Sequence, residues 1–463
     1  MSDLRSEPGG SRGEGSLAMA RQPHPPGGPA PARYRYAKDV LDSGLRVVTV
    51  EVPHLHTAML ALYVRAGSRH ETPEDNGISH FLEHMYFRGS EGFPDGRAMN
   101  ALVEDAGGAL NGVTTRDHGY YYTPIHPDHA DVGLAVLGDM LARPQLKEIE
   151  LEREVVLEEI LDDVDDKGRD IDVDNLGKRS MFGDHPLGMK IGGTQETVRS
   201  LTNEQLRAHH ERLYTAPNMV LAAAGPMSRD RILKLAEQHF AHLRRGGGTP
   251  PEARPPQPPE GPRFLLIRHD ESQVDVRLTF PAVPESDPTW AAVLLARRLL
   301  DDGLSSRLQV EIVDRRGLAY TVHGGLDTFA DAALFELDAA ATPGKVAALV
   351  TQCLRVLGEL ATTAPSDDEL RRAKLRNRIN LEFSLDSAGE MAGWFGGTEL
   401  FRPPEDFPER IAKIERVTTE EVRAAAAAMF RRSCLHCVCV GKLSVKQRRE
   451  IEQVVDRAEG LPA

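Results

Sequence analysis

The chain has 463 residues, 40% of them apolar, too many for one ordinary core and enough for two or more packed domains. Its net charge of -14 gives no electrostatic support for nucleic-acid binding. Four sparse cysteines exclude a disulfide framework, and without a run of about 18 apolar residues no membrane span is expected.

Residues 1–33 are rich in Gly, Pro, Ser and Arg and lack the apolar stretch of a secretory signal. They are expected to form a disordered arm, and the protein is expected to be cytoplasmic. A first domain is expected over 34–242. Its strands are expected at 46–52 and 58–65, followed by a helix from Gly77 to Arg88 and a strand pair near 109–114 and 120–124. Helices at 129–141, 147–163 and 201–213 and a strand at 219–224 complete it. Residues 243–262, with Gly246, Gly247, Gly248 and repeated prolines, read as an exposed linker. A second domain over 263–463 opens with strands at 264–268 and 274–280. Strands and helices mix without regular β-α-β alternation. The expected class is α+β, each domain a mostly antiparallel sheet with helices packed on it. Cys434, Cys437 and Cys439 could be read as a metal cluster, but small apolar side chains on a buried strand at 435–440 fit the pattern better.

The halves resemble each other. Gly77-Ile-Ser-His-Phe-Leu-Glu-His84 lies on Gly303-Leu-Ser-Ser-Arg-Leu-Gln-Val310, and Glu150-Leu-Glu-Arg153 on Glu369-Leu-Arg-Arg372. In this overlay His80 meets Ser306, Glu83 meets Gln309, His84 meets Val310 and Glu159 meets Arg378. The pattern predicts a duplicated domain whose second copy holds no metal.

The segment that carries chemistry is His80-Phe-Leu-Glu83-His84. Residues four apart share a helical face, so both imidazoles reach one ion while Glu83 reaches a water beside it. Ile78, Phe81, Leu82 and Met85 are expected on the buried side of this helix. A catalytic zinc usually takes three protein ligands. The third is sought in Glu150-Leu-Glu152-Arg-Glu154-Val-Val-Leu-Glu158-Glu159-Ile, where a solvated acidic helix is the bland reading. Spacing alone leaves Glu158 and Glu159 open.

These two segments, about seventy-five residues apart, resemble the pitrilysin, insulysin and mitochondrial processing peptidase family. So do Gly67-Ser-Arg-His-Glu71, Asn76-Gly77, Gly107-Gly-Ala-Leu-Asn111, Tyr214-Thr-Ala-Pro-Asn-Met219 and Gly317-Leu-Ala-Tyr320. The likeness spans roughly residues 36 to 440 and points to the short, two-domain branch, whose members work as dimers. The resemblance implies one zinc per chain held by His80, His84 and Glu159, with Glu83 as general base and Glu152 as a supporting carboxylate. It places Asn111 on a substrate-binding edge strand, where an extended peptide adds by backbone pairing. It also implies an Arg and a Tyr from the second domain near the substrate. Tyr320 matches that Tyr, with a half-buried strand tyrosine as the plain alternative. Val313 stands where the family has Arg, and Arg315 and Arg316 fall in a different register. The implied function is zinc-dependent hydrolysis of peptides or unfolded segments. The alternative is a peptidase-like assembly or binding subunit, and a related chain supplying an Arg and Tyr pair is the expected partner.

Overall fold

The computed structural model describes residues 34–247, 252, 254, 255 and 261–462. The arm expected at 1–33 and the linker residues 248–251, 253 and 256–260 lie outside the described residues.

The first sheet comprises β1 (Arg35–Val40), β2 (Arg46–Glu51), β3 (Ala58–Val64), β4 (Asn111–Thr114), β5 (Gly119–Ile125) and β6 (Met219–Gly225), in the order β1-β2-β6-β3-β5-β4. The second comprises β7 (Arg263–Ile267), β8 (Val274–Ala282), β9 (Val322–Thr328), β10 (Ala333–Ala341) and β11 (His436–Val440), in the order β7-β11-β8-β10-β9. Without β1 the two orders are the same. β2 pairs parallel with β6 in the first sheet and β7 with β11 in the second, and the remaining pairs, β1 with β2 included, are antiparallel. The protein is α+β, with two domains that repeat one topology. The overlaid glycines agree too: Gly77 has φ +97° and Gly303 +93°, each ahead of the helical segment between the second and third shared strands.

Period-two alternation decides which sheet face meets which layer. On β3, Leu60, Leu62 and Val64 join Tyr121 and Leu221 in a core covered by helices including Ala130–Ala142. Ala61 and Tyr63 point the other way, and there the cover comes from the far half of the chain: Met391, Ala392, Phe395 and Phe407. The second sheet mirrors this. Val276, Leu278, Phe335, Leu337, Cys437 and Cys439 face its own helices. Val438 and Val440 meet Leu176, from the helix Val173–Phe182 in the first half of the chain. Each sheet is thus closed on one face by a segment of the other half.

Charge locks the second exchange. Lys178, fully buried, lies 2.5 Å from Asp174, 2.9 Å from Asp327 and 2.9 Å from Glu336. Arg277 pairs with Asp174 at 2.5 Å and Asp338 at 2.6 Å. Among the described residues no single helix is long and apolar enough to cross a membrane.

Candidate metal centre

The helix Ile78–Tyr86 carries both histidines. Gly77 begins it with a left-handed φ, and a Cβ there would sit 2.7 Å from the Gly192 carbonyl oxygen, so only glycine fits. The buried Glu71 carboxylate caps the helix, accepting from Gly77 N (2.8 Å), Ser79 N (2.9 Å) and Asn76 Nδ2 (2.8 Å). Burial pushes this carboxyl up to about 7, against the pull of those donors. Ile78, Phe81, Leu82 and Met85 are buried, as the pattern predicts. Behind the helix, Ser79 meets His209 at 3.1 Å and the Tyr86 hydroxyl meets His210 at 2.9 Å.

The helix Ile149–Leu161 lies across it. Val156 and Ile160 are buried, whereas Val155 is 45% exposed. Arg153 fastens the helix, donating to the Val198 and Leu201 carbonyls, with its guanidinium 5.5 Å from the centre of the Phe81 ring. The choice that spacing left open falls to Glu159, whose carboxylate lies 3.6 Å from His80 Nε2 and 3.3 Å from His84 Nε2. Donor atoms of these three residues lie within 4.8 Å of one another, and among the described residues they are the one such cluster. Tetrahedral ligands about 2.0–2.2 Å from zinc are separated by roughly 3.3–3.6 Å, so the spacing fits the ion.

Glu152 accepts from His84 Nδ1 at 2.8 Å and also bonds Arg88. That contact fixes the tautomer which leaves His84 Nε2 facing Glu159, an arrangement common behind metal-bound histidine. His80 Nδ1 is buried without a hydrogen-bond partner among the described residues. Glu83 accepts from the Thr114 hydroxyl at 2.5 Å, which joins the metal helix to β4. Burial raises the Glu83 carboxyl above its ordinary value, with Thr114 opposing. Burial pushes His80 down to about 4, helped by neighbouring His84. Burial also lowers His84, but hydrogen bonds to Glu159 and Glu152 outweigh it and leave the group raised. Glu159 is lowered chiefly by its hydrogen bond to His84.

The other expected residues lie apart. Asn111 begins β4, at the edge of the sheet, with its side-chain amide on the Ala109 carbonyl at 3.0 Å. Tyr320 is 89% exposed and precedes β9, so the half-buried strand position weighed for it is incorrect: the turn after Gly317 ends before the ladder begins. Val313 packs against the second core, while Arg315 and Arg316 pair with Glu311 at 2.5 and 2.6 Å. The four cysteines are free and buried, with Cys437 and Cys439 on β11. Where the first domain has Glu83 on Thr114, the second has Gln309 donating to the Val322 carbonyl at 2.6 Å. Sequence reasoning missed Thr114, Arg88 and the capping role of Glu71. The last had a signal, since Glu71 and Gly77 both fall in segments singled out as family-like.

Residues 46–195 match the family described as insulinase, peptidase family M16, and 200–377 match the peptidase M16 inactive domain. A protein named as an uncharacterized zinc protease in Mycobacterium leprae is 33% identical, over 84% of this chain and 88% of its own length. One named as a probable mitochondrial-processing peptidase subunit beta in Schizosaccharomyces pombe is 29% identical over 84% and 88%. Among solved structures, a protease from Helicobacter pylori superposes with a TM-score of 0.83 at 21% identity, covering 88% of this chain and all of that one. The sequence relationship, sustained over most of both chains, makes this protein a member of peptidase family M16, the insulinase family.

Proposed function

We propose that the chain is a zinc metalloendopeptidase acting on peptides or unfolded protein segments. The observation that carries this is the convergence of His80, His84 and Glu159 with Glu83 alongside on the same helix. Zinc bound there would supply a water of lowered pKa and polarise the scissile carbonyl. His84 is held for the ion by Glu152. Glu83, buried and braced by Thr114, takes the proton of the attacking water and returns it to the leaving amine. An ionised carboxylate with a raised pKa is a better proton acceptor than one in water. The substrate lies extended along β4, which among the described residues pairs with β5 on one side only, leaving its outer edge open to backbone pairing. Asn111 stands at the start of that edge.

Three variants test the assignment. Glu83→Gln is expected to lose peptide hydrolysis and keep zinc near one equivalent, read by metal analysis and a fluorogenic peptide assay. His84→Ala and Glu159→Ala are expected to lose both. Normal turnover by Glu83→Gln would refute the proposed base, and undiminished zinc in Glu159→Ala would move the third ligand elsewhere.

A further inference from the structure

The stretch that joins the halves reads as an exposed spacer, and a spacer needs no partner. Glu252, within it, is held all the same. Its side chain is 9% exposed and lies 2.7 Å from Arg65 Nε, 3.4 Å from Arg69 Nη1 and 3.1 Å from His70 Nε2. Burial alone would raise this carboxyl. Hydrogen bonds from His70 and Arg65 and the charge of Arg69 outweigh it and hold the group down to about 2. Glu252 is therefore an anion at neutral pH, set among two arginines and an imidazole of the first domain.

Arg69 and His70 stand just ahead of the helix that carries His80, and two routes run from His70 to the first turn of that helix. His70 Nδ1 accepts from Gly67 N at 3.2 Å, so Nε2 carries the ring proton and donates to Glu252. The next residue in the chain is Glu71, the cap of the helix, which accepts from Ser79 N at 2.9 Å. The second route starts at the His70 carbonyl, which accepts from Arg212 Nη2 at 3.1 Å. The same nitrogen donates to His209 Nδ1 at 3.1 Å, which leaves His209 Nε2 to donate to Ser79 Oγ at 3.1 Å. Ser79 and His209 are both buried. Both routes end at Ser79, whose neighbour in the chain is His80.

The second half reaches the same cluster. Asp331, in the turn between β9 and β10, accepts two bonds from Arg69, at 2.7 and 2.8 Å. Arg69 thus gathers the linker, a hairpin of the second half and the approach to the His80 helix at one guanidinium.

We infer that Glu252 is a positioning residue: by holding Arg69 and His70 it fixes the entry of the helix that carries His80, so that the linker and the docked second half set the metal ligands. This rests on the metal reading of the site, and one arm of the test needs no metal. Hydrogen exchange on the zinc-free full-length chain, read by mass spectrometry, follows the helix Ile78–Tyr86 and, as an internal standard, the helix Val445–Arg457 of the second half. Competition with a chelator gives the zinc affinity. Glu252→Ala is expected to speed exchange in Ile78–Tyr86 about tenfold while Val445–Arg457 stays within about twofold. It is expected to weaken zinc roughly three- to tenfold, less than the 10- to 100-fold typical of a direct partner of a ligand. Glu252→Gln, which keeps an acceptor for His70 and loses the charge, is expected to lie between, and it carries the comparison if the alanine variant does not fold. Unchanged exchange and zinc affinity overturn the proposal. An equal rise in both helices makes Glu252 a contributor to overall stability and overturns it too, as does faster exchange in Ile78–Tyr86 with undiminished zinc affinity. Absence of zinc binding by the natural protein sinks the metal reading, while selective loosening of Ile78–Tyr86 would still show the hold of Glu252 on the helix.

Discussion

Three groups of the candidate site have a second residue behind them: Glu152 behind His84, Thr114 behind Glu83, and Glu71 behind the start of the helix itself. Removing an outer partner of this kind typically costs 10- to 100-fold in metal affinity or activity. Glu152→Ala is therefore expected to lose zinc to a competing chelator 10- to 100-fold more readily, with Glu152→Gln, which keeps an acceptor, between it and the natural protein. Identical chelator titrations for all three would show that Glu152 orients nothing. Glu71 leads to a pH effect. Its folded-state pKa, about 7, lies above the ordinary carboxyl value of 4.5, so between these limits the native state holds more protons than the unfolded one. Stability linked to this group is greatest below pH 4.5 and falls as pH rises toward 7. Glu71→Gln is expected to lower the thermal midpoint through loss of an acceptor, and also to flatten its decline between pH 5 and 7.5. An unchanged slope would assign that decline to other groups. At this scale the sequence is informative where chemistry needs fixed spacing: His80, Glu83 and His84 share one helix, and four residues make one turn. Glu158 and Glu159 differ by only one position on the same helix. Only the packing of Val156 and Ile160 against the core decides which carboxylate turns to the histidines.

Most of the expected elements recur within a few residues of their places, because each carries its own periodicity. The expected helix at 201–213 begins at Asn203 because Thr202 caps it, its hydroxyl accepting from Gln205 N. Among the elements that were not expected, three show why. β1 is an edge strand with mostly polar, partly exposed residues. The helices Gly96–Asp105 and Val173–Phe182 carry short apolar stripes among charges. The exchange of covering segments was equally invisible, since a pattern shows that a face needs cover without naming the sheet that will provide it. The exchanged segment after Ala388 nevertheless makes a prediction. Gly396 lies so close to β6 that an added Cβ would be 2.3 Å from the Ala222 Cβ. Gly396→Ala is expected to destabilise by about 1–3 kcal/mol through overpacking, read by denaturant titration. Adding Ala222→Gly should return part of this as a coupling energy of roughly 0.5–3 kcal/mol. Simple additivity of the two changes would mean that the segment does not press on β6 as described.

Duplication of one topology with loss of chemistry from one copy organises the whole molecule. Its legible trace was the overlay of Gly77 on Gly303, and both glycines carry the left-handed backbone that makes the position hard to replace. The overlay could not reveal that Gln309 would turn its amide onto the Val322 carbonyl, because a side chain's partner depends on the neighbouring strand. The same division of labour bears on partners. Catalysis needs a metal with its base, together with donors to the substrate that strengthen in the transition state. On the proposed reading, His80, Glu83, His84 and Glu159 serve the first task. For the second, Val313 has no donor to offer and is packed into the second core. Arg315 and Arg316 are held by Glu311, which Arg355 also reaches at 2.9 Å, so recruiting either arginine means breaking an existing pair. Loss of one oxyanion-type donor costs about 2.7–4 kcal/mol, on the order of 100- to 1,000-fold in kcat. We therefore expect the chain alone to be a slow peptidase, with full activity in a complex with a related chain that carries the Arg and Tyr pair. The comparison is of kcat for the isolated chain, for the chain with such a partner, and for the partner after its Arg is replaced by Ala. A gain of at least 100-fold that disappears with the partner's Arg supports the heteromeric enzyme. If the isolated chain is already fully active and Arg315→Ala or Arg316→Ala abolishes that activity, a homomeric enzyme using its own arginine is correct. High activity alone, insensitive to both substitutions and to any partner, would mean that Val313 marks no missing function.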